Sequence, residues 1–352
     1  MRRIFTKVYA WVLLILLILR LLTFVWQAGA ELDILIHLAV GLFTALVFVP
    51  AFHELGHVLF AKINGMQVVY CKCFCLRVYR KDGKTRAGLA NPFTPDETQV
   101  LPKGSADMKR RAYAYAMGGL IASALILLAL VIILLLSWVK GVDMYTLYPW
   151  LCYASYLFLL NVLPVEYSTG KTDALIARGI LDSAPTEQTM LNVMRIQGEL
   201  QSGKRYAEVD EEWYFSAPQL SVEEPLYVAI LESRYAYYLE KEDNEKAFNC
   251  LKRIKEAGEY LSEEEILRLE KNLAYICLLG ENDEVLKKAV KANEEYWKSD
   301  DVSMKRTLAL YMSKCGEKEC AELLISQARK LLESYEIDGL RKHEELLLSR
   351  IK

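Results

Sequence analysis

ILIHLAVGLFTALVFVPAFHELGHVLFAKI, residues 34–63, is the stretch from which the rest of the chain can be read. It is apolar over some 30 residues, longer than the about 20 that cross a bilayer, so a helix over it must tilt or protrude. Asn64-Gly65 then supplies a helix stop. Within this run three ionisable groups stand together, in His53-Glu54-Leu55-Gly56-His57. Such groups among Phe, Val, Leu and Ala destabilise a membrane helix by several kcal/mol unless they have partners, so together they need a common explanation. Positions i and i+4 share a helix face, and both imidazoles can therefore bind one ion. Glu54 projects to the side, where it can take a proton from a metal-bound water. His53 lies eleven residues before Asn64, roughly 16 Å along a helix, which puts the motif inside the membrane plane near its cytoplasmic face.

Outward from this stretch, three further apolar runs predict membrane spans, at about Val8–Trp26, Ala112–Val139 and Met144–Leu163, the last closed by Pro164. These runs exclude a soluble globular protein. Ala28-Gly29-Ala30 after the first run also fits a signal-peptide cleavage site, but the length of the run and Arg20 inside it favour a retained span. Residues 66–90 switch to strand-like composition, with Asp82-Gly83 as a hairpin turn, and residues 91–111 read as a polar loop with Pro92, Pro95 and Pro102.

Orientation follows from Lys and Arg. Residues 62–111 hold eleven of them against four acids, whereas residues 27–33 and 140–143 together hold one. The positive-inside rule puts the N-terminus, the hairpin and everything after Leu163 in the cytoplasm. Residues 1–184 carry a net charge of +7 and residues 185–352 a net of -9, which together give the overall -2. Neither half has a basic stripe with interleaved aromatics, so nucleic acid is not expected as a partner. The acidic half reads as water-soluble helix pairs with charged turns at 242–244, 280–283 and 316–317, a spacing that predicts tetratricopeptide-like repeats, with a plain helical bundle as the alternative. The expected architecture is thus mainly α: a multi-pass membrane protein with about four transmembrane helices, a small membrane-surface β-hairpin and a cytoplasmic helical-repeat domain. Its parts are residues 1–32 (anchor), 33–184 (membrane core carrying the His-Glu-His motif) and 185–352 (repeats). A repeat solenoid offers a concave face, so the last part is expected to recruit or gate substrate or to bind a protein partner, or else to act as a stabilising cap.

Two histidines do not complete a catalytic zinc site, which usually takes three protein ligands and a water. His37 is some 24 Å away along the helix and reads as an interfacial or packing residue, and His343 as a surface histidine. A carboxylate after the fourth span is needed: Asp173, at the start of a helix that Thr172 could cap, is the best candidate, and Glu166, closer to the membrane helix, is the rival. Cys71, Cys73 and Cys75 alternate and would line one strand face, an arrangement in which three thiolates cannot converge on one ion. Seven of the eight cysteines lie in segments assigned to the cytoplasmic side, so no disulfide framework is expected. Arg77, Arg80 and Lys81 beside the hairpin read as partners of anionic lipid headgroups.

His53-Glu54-Leu55-Gly56-His57 within a span, followed by Asn161-Val-Leu-Pro164 and Asp173, resembles the site-2-protease-like intramembrane zinc metalloproteases over residues 33–182. The resemblance implies Zn²⁺ held by His53, His57 and Asp173, Glu54 as catalytic base, and Asn161 as a residue that holds the substrate. It further implies that the hairpin pairs with a locally unwound transmembrane substrate, and that Met117–Ser123 replaces a Gly-Pro-x-x-Asn or Gly-Gly element. Leu120 and Ser123 stand for that proline and asparagine, and Ala174 follows Asp173 where the family has glycine. The function so implied is a zinc-dependent intramembrane endopeptidase in a cell membrane, that of a bacterium by its architecture. A catalytically inactive scaffold working through its helical repeats is the alternative. A transporter with a structural metal is disfavoured by four spans without an internal repeat.

Overall fold

The computed structural model describes residues 2–29, 31–81, 84–92, 94, 96–142, 144–167, 170–280 and 301–351. The chain is mainly helical with a small antiparallel sheet, and it divides into two units. The first comprises Met1–Leu101 and Asp107–Ala184, the second Pro102–Ala106 and Pro185–Lys352.

In the first unit, helices α1 (Arg2–Gln27), α2 (Leu32–Ile63) and α3 (Met108–Val139) are each long and apolar enough to cross a membrane. Helix α4 (Leu147–Val162) is shorter than the fourth span expected from sequence: its 16 residues reach about 24 Å, short of a bilayer core of about 30 Å. Helix α2 stops at Asn64, whose amide side chain donates to Phe60 O, and Gly65 follows at φ 68°, a backbone that glycine takes without strain. Helices α2 and α3 approach to backbone contact where Gly56 faces Gly118; a Cβ on Gly118 would stand 2.7 Å from Gly56 O. Lower in the same pair, Ala45 and Val49 pack with Leu130 of α3 and Ala154 of α4.

The expected hairpin is a four-stranded sheet. Strands β1 (Met66–Cys73), β2 (Leu76–Lys81), β3 (Lys84–Leu89) and β4 (Glu97–Pro102) lie in the order β3-β2-β1-β4. The first hairpin turns at Phe74-Cys75, with Tyr70 opposite Tyr79 and Cys73 opposite Leu76. Cys75 therefore leaves the strand that carries Cys71 and Cys73, and the three thiols do not share one face. The expected turn at Asp82-Gly83 lies outside the described residues. Strand β4 falls in the segment read as a polar loop, and its Thr98 is buried. After α4 come the two-residue strands β5 (Glu166–Tyr167) and β6 (Gly170–Lys171) and then α5 (Asp173–Asp182).

The second unit holds α6 (Pro185–Gln201), α7 (Glu211–Phe215), α8 (Pro225–Glu240), α9 (Asn244–Glu256), α10 (Glu263–Leu279), α11 (Val302–Lys314), α12 (Lys318–Leu332) and α13 (Asp338–Ser349). Helices α8 and α9 form a pair across Lys241–Asp243, and α11 and α12 across Cys315–Glu317, at two of the three charged turns expected from sequence. The third, past Gly280, lies outside the described residues. Tyr227, Leu231, Leu239, Leu251 and Tyr275 build one core. His343 is not a surface residue: it is buried, with Nδ1 2.7 Å from Glu240 Oε1, because that carboxylate and the backbone N–H groups of Tyr206 and Ala207 form a polar cluster needing an interior partner.

Candidate metal centre

Helix α2 presents His53 and His57 one turn apart on its buried face. Each ring is oriented through its Nδ1. That of His57 donates to the Tyr115 carbonyl at 2.8 Å, and that of His53 pairs with the Ser123 hydroxyl at 2.9 Å, both partners on α3. These bonds leave the Nε2 atoms facing inward, the arrangement by which outer-shell partners fix ligating imidazoles.

The third group comes from α5. Thr172 caps that helix by accepting from Leu175 N, and its hydroxyl also donates to Leu163 O at 2.7 Å, tying the start of α5 to the end of α4. Asp173 is thereby fixed as the first residue of α5, and Ala174 sits within the helix, where it needs no glycine. Asp173 Oδ2 lies 3.1 Å from His53 Nε2 and 3.4 Å from His57 Nε2, and one ligand atom from each of the three residues falls within 4.8 Å of the others. Burial would raise the Asp173 carboxyl, but the two imidazoles facing it outweigh that and hold it below the usual carboxylate range.

These three residues can hold a metal ion. Asp173 Oδ2 is buried without a hydrogen-bond partner, a deficit that a cation would meet. Room for the ion is kept from the opposite side by Gly119 of α3, where a Cβ would overlap His57 Nε2 and stand 2.6 Å from His53 Cε1. Glu54, one residue after His53 and also buried, is held by a 2.6 Å hydrogen bond from Thr98 Oγ1 of β4. The Thr98 carbonyl in turn accepts from the Tyr115 hydroxyl, so the sheet and α3 are joined at the site.

Glu166, the other carboxylate considered, is exposed on β5 opposite Lys171 and stands outside the ligand cluster. Asn161 is half-buried near the end of α4, where its amide donates to Leu157 O at 3.2 Å. His37 is exposed and bonded to Asp33 O on its own helix. Gly119 and Ser123 belong to the small-residue stretch Met117–Ser123 singled out in the sequence, but their parts in seating and orienting the imidazoles emerge only from the packing of α3 on α2. Thr98 gave no signal, since its role depends on the strand that the prolines around it obscured.

No family model, curated protein or solved structure matches the chain.

Proposed function

We propose that this chain is a zinc-dependent intramembrane endopeptidase of the site-2-protease-like kind. The observation that supports it is the convergence of Asp173 of α5 with His53 and His57, which stand with Glu54 on a helix long and apolar enough to cross a membrane. Two imidazoles and one carboxylate with a remaining open position form the donor set of hydrolytic zinc sites. His53, His57 and Asp173 would hold the ion, and a zinc so held would supply an acidified water and a polarised peptide carbonyl. Glu54, steadied by Thr98, takes the proton of the attacking water on its carboxylate and hands it to the leaving amine nitrogen. Asn161 uses one amide N–H on Leu157 O and keeps its carbonyl oxygen for a substrate N–H. A transmembrane substrate hides its carbonyls in helical hydrogen bonds and must unwind first. The outer edge of β4, whose Thr98 touches Glu54, is where such an unwound strand can add.

The Lys and Arg distribution supports a multi-pass protein of a cell membrane, bacterial by its architecture, with both termini, the sheet and the C-terminal half cytoplasmic. Residues 185–352, as tetratricopeptide-like repeats, recruit substrate or a protein partner in this reading.

One experiment tests the whole. The detergent-purified chain is assayed for metal and for cleavage of reconstituted transmembrane peptides, beside His53→Ala, Asp173→Ala, Glu166→Ala, Glu54→Gln and a chain ending at residue 184. The expected result is about one zinc per chain in wild type, lost with His53 or Asp173 and kept with Glu166. Glu54→Gln keeps the metal and loses turnover, and the truncated chain changes substrate selection. A folded wild type without zinc overturns the protease and favours the scaffold, whereas turnover retained in Glu54→Gln overturns the role of Glu54 as base.

A further inference from the structure

Arg20 is the one cation within the apolar part of α1, and it lacks an acidic partner among the described residues. It stands seven residues before the end of α1, roughly 10 Å along the helix, and its side chain is exposed. A guanidinium so placed is costly in hydrocarbon unless an anion meets it or the side chain reaches the interface.

Beside it lies a cavity of about 320 Å³ between α1 and α4. Leu13, Leu16 and Arg20 recur on one face of α1, and Tyr148, Leu151 and Leu159 on one face of α4, so the walls are apolar with the cation toward one end. Contacts between the helices bracket the space. Tyr9 donates its hydroxyl to Leu159 O at 3.1 Å, and Phe24 stacks on Tyr148 with ring centres 3.8 Å apart. The Arg20 guanidinium carbon lies 5.7 Å from the centre of the Tyr148 ring, and the Tyr148 hydroxyl is buried with no hydrogen-bond partner. An apolar slot with one unneutralised guanidinium and an orphaned hydroxyl at the same end matches an amphiphile that is apolar along its length and anionic at its head.

We propose that the groove between α1 and α4 is a binding site for one anionic phospholipid, its phosphate on Arg20 beside Tyr148 and an acyl chain along the leucines. A neutral apolar chain would leave Arg20 unmet, and a substrate helix is too wide for a slot whose two ends are already closed by contacts. The proposal rests on the reading that α1 crosses a bilayer, and on no part of the proteolytic one. If α1 is retained and the N-terminus is cytoplasmic, the bound lipid belongs to the outer leaflet.

The test uses the full chain. Membranes carrying it are first washed with alkaline carbonate; release into the wash would mean that the membrane reading itself has failed. The detergent-purified chain is then titrated with phosphatidylglycerol or with phosphatidylcholine of the same acyl chains, and bound lipid is counted by native mass spectrometry. One phosphatidylglycerol is expected to bind about fivefold more tightly than phosphatidylcholine, the effect of a single charge at a membrane surface. Arg20→Gln should abolish that preference, Arg20→Lys should retain part of it, and Arg329→Gln, exposed on α12, should leave it intact. Thermal unfolding of each variant separates lost binding from lost folding. A chain that stays in the membrane but binds both lipids equally, or keeps its preference in Arg20→Gln, overturns the proposal. Displacement of the lipid by inorganic phosphate alone would assign the site to free phosphate and overturn it equally.

Discussion

Gly119 bears on the metal centre by having no side chain. A Cβ at this position would overlap His57 Nε2 and crowd the His53 ring, and both contacts are with ligand atoms. Neither ring can turn freely, since Tyr115 O and Ser123 Oγ hold the opposite nitrogens. Gly119→Ala is therefore expected to lower metal affinity at least tenfold, the scale on which disturbed outer-shell partners act. Metal titration of the purified variant checks this, with far-UV circular dichroism showing helix content unchanged; an affinity equal to wild type would mean that α2 and α3 can part at no cost. At this scale the sequence is legible only where chemistry is local. His53, Glu54 and His57 can be read because a helix fixes their relation within two turns. Asp173 is distant in the chain, so spacing alone leaves Glu166 as its rival. The difference arises from Thr172, which caps α5 and binds Leu163 O, and so aims the next residue at the imidazoles.

The sheet element depends on one side chain from outside its strands. Asp96 Oδ1 accepts from Lys72 Nζ at 2.9 Å and from Phe74 N at 2.7 Å. Lys72 is buried and also donates to Thr94 O. Phe74 takes φ 53°, the left-handed region that a bulky residue enters only when held, and Asp96 supplies that hold at the turn. Asp96→Ala leaves a buried ammonium short of its counter-charge, a change that costs about 3 kcal/mol in such pairs. Hydrogen exchange across Tyr70–Tyr79 is expected to accelerate in this variant while the helices keep their protection; unchanged exchange would show that the turn holds itself. The same tether explains the break at Phe74-Cys75, which the sequence does not show. Met66 to Tyr79 carries strand composition throughout, and nothing local breaks it at Phe74, because the group that stabilises the break lies twenty-two residues on. Strand β4 was hidden for a related reason: Thr98-Gln-Val-Leu follows prolines and acids that read as loop, and its place beside β1 is set by tertiary pairing and by Glu54. Helices α1, α2 and α3 were legible from length and composition alone, whereas α4 was expected at membrane length and is shorter.

On the scale of the whole chain, the division into a basic and an acidic half is not a clean cut in sequence. Pro102–Ala106 belongs structurally to the second unit. There Gly104 N donates to Gly198 O at 3.0 Å, and α6 comes so close that a Cβ on Gly198 would overlap the Gly104 carbonyl. The Ser105 hydroxyl donates to Glu199 Oε1, and Lys204 Nζ lies 2.7 Å from Glu199 Oε2. Burial pushes the Glu199 carboxyl up, but Lys204 and Ser105 outweigh it, so the group sits below its ordinary value of 4.5 in the folded protein. A carboxyl depressed by folding contributes stability that is present above its unfolded value and lost as the pH falls through the folded one. The loop is therefore expected to be held at neutral pH and released in acid. Calorimetry of the full chain in detergent should show Glu199→Gln melting at a lower temperature than wild type at pH 7. The two chains should converge as the pH falls through the depressed value of wild-type Glu199, where that group is itself protonated. A difference that persists unchanged into acid would assign the loss to the shape of the amide and remove the charge from the account. Convergence would mean that a segment between a sheet strand and a membrane-length helix is fastened to α6 by an ionised carboxylate, a fastening that the charge totals of the two halves do not reveal.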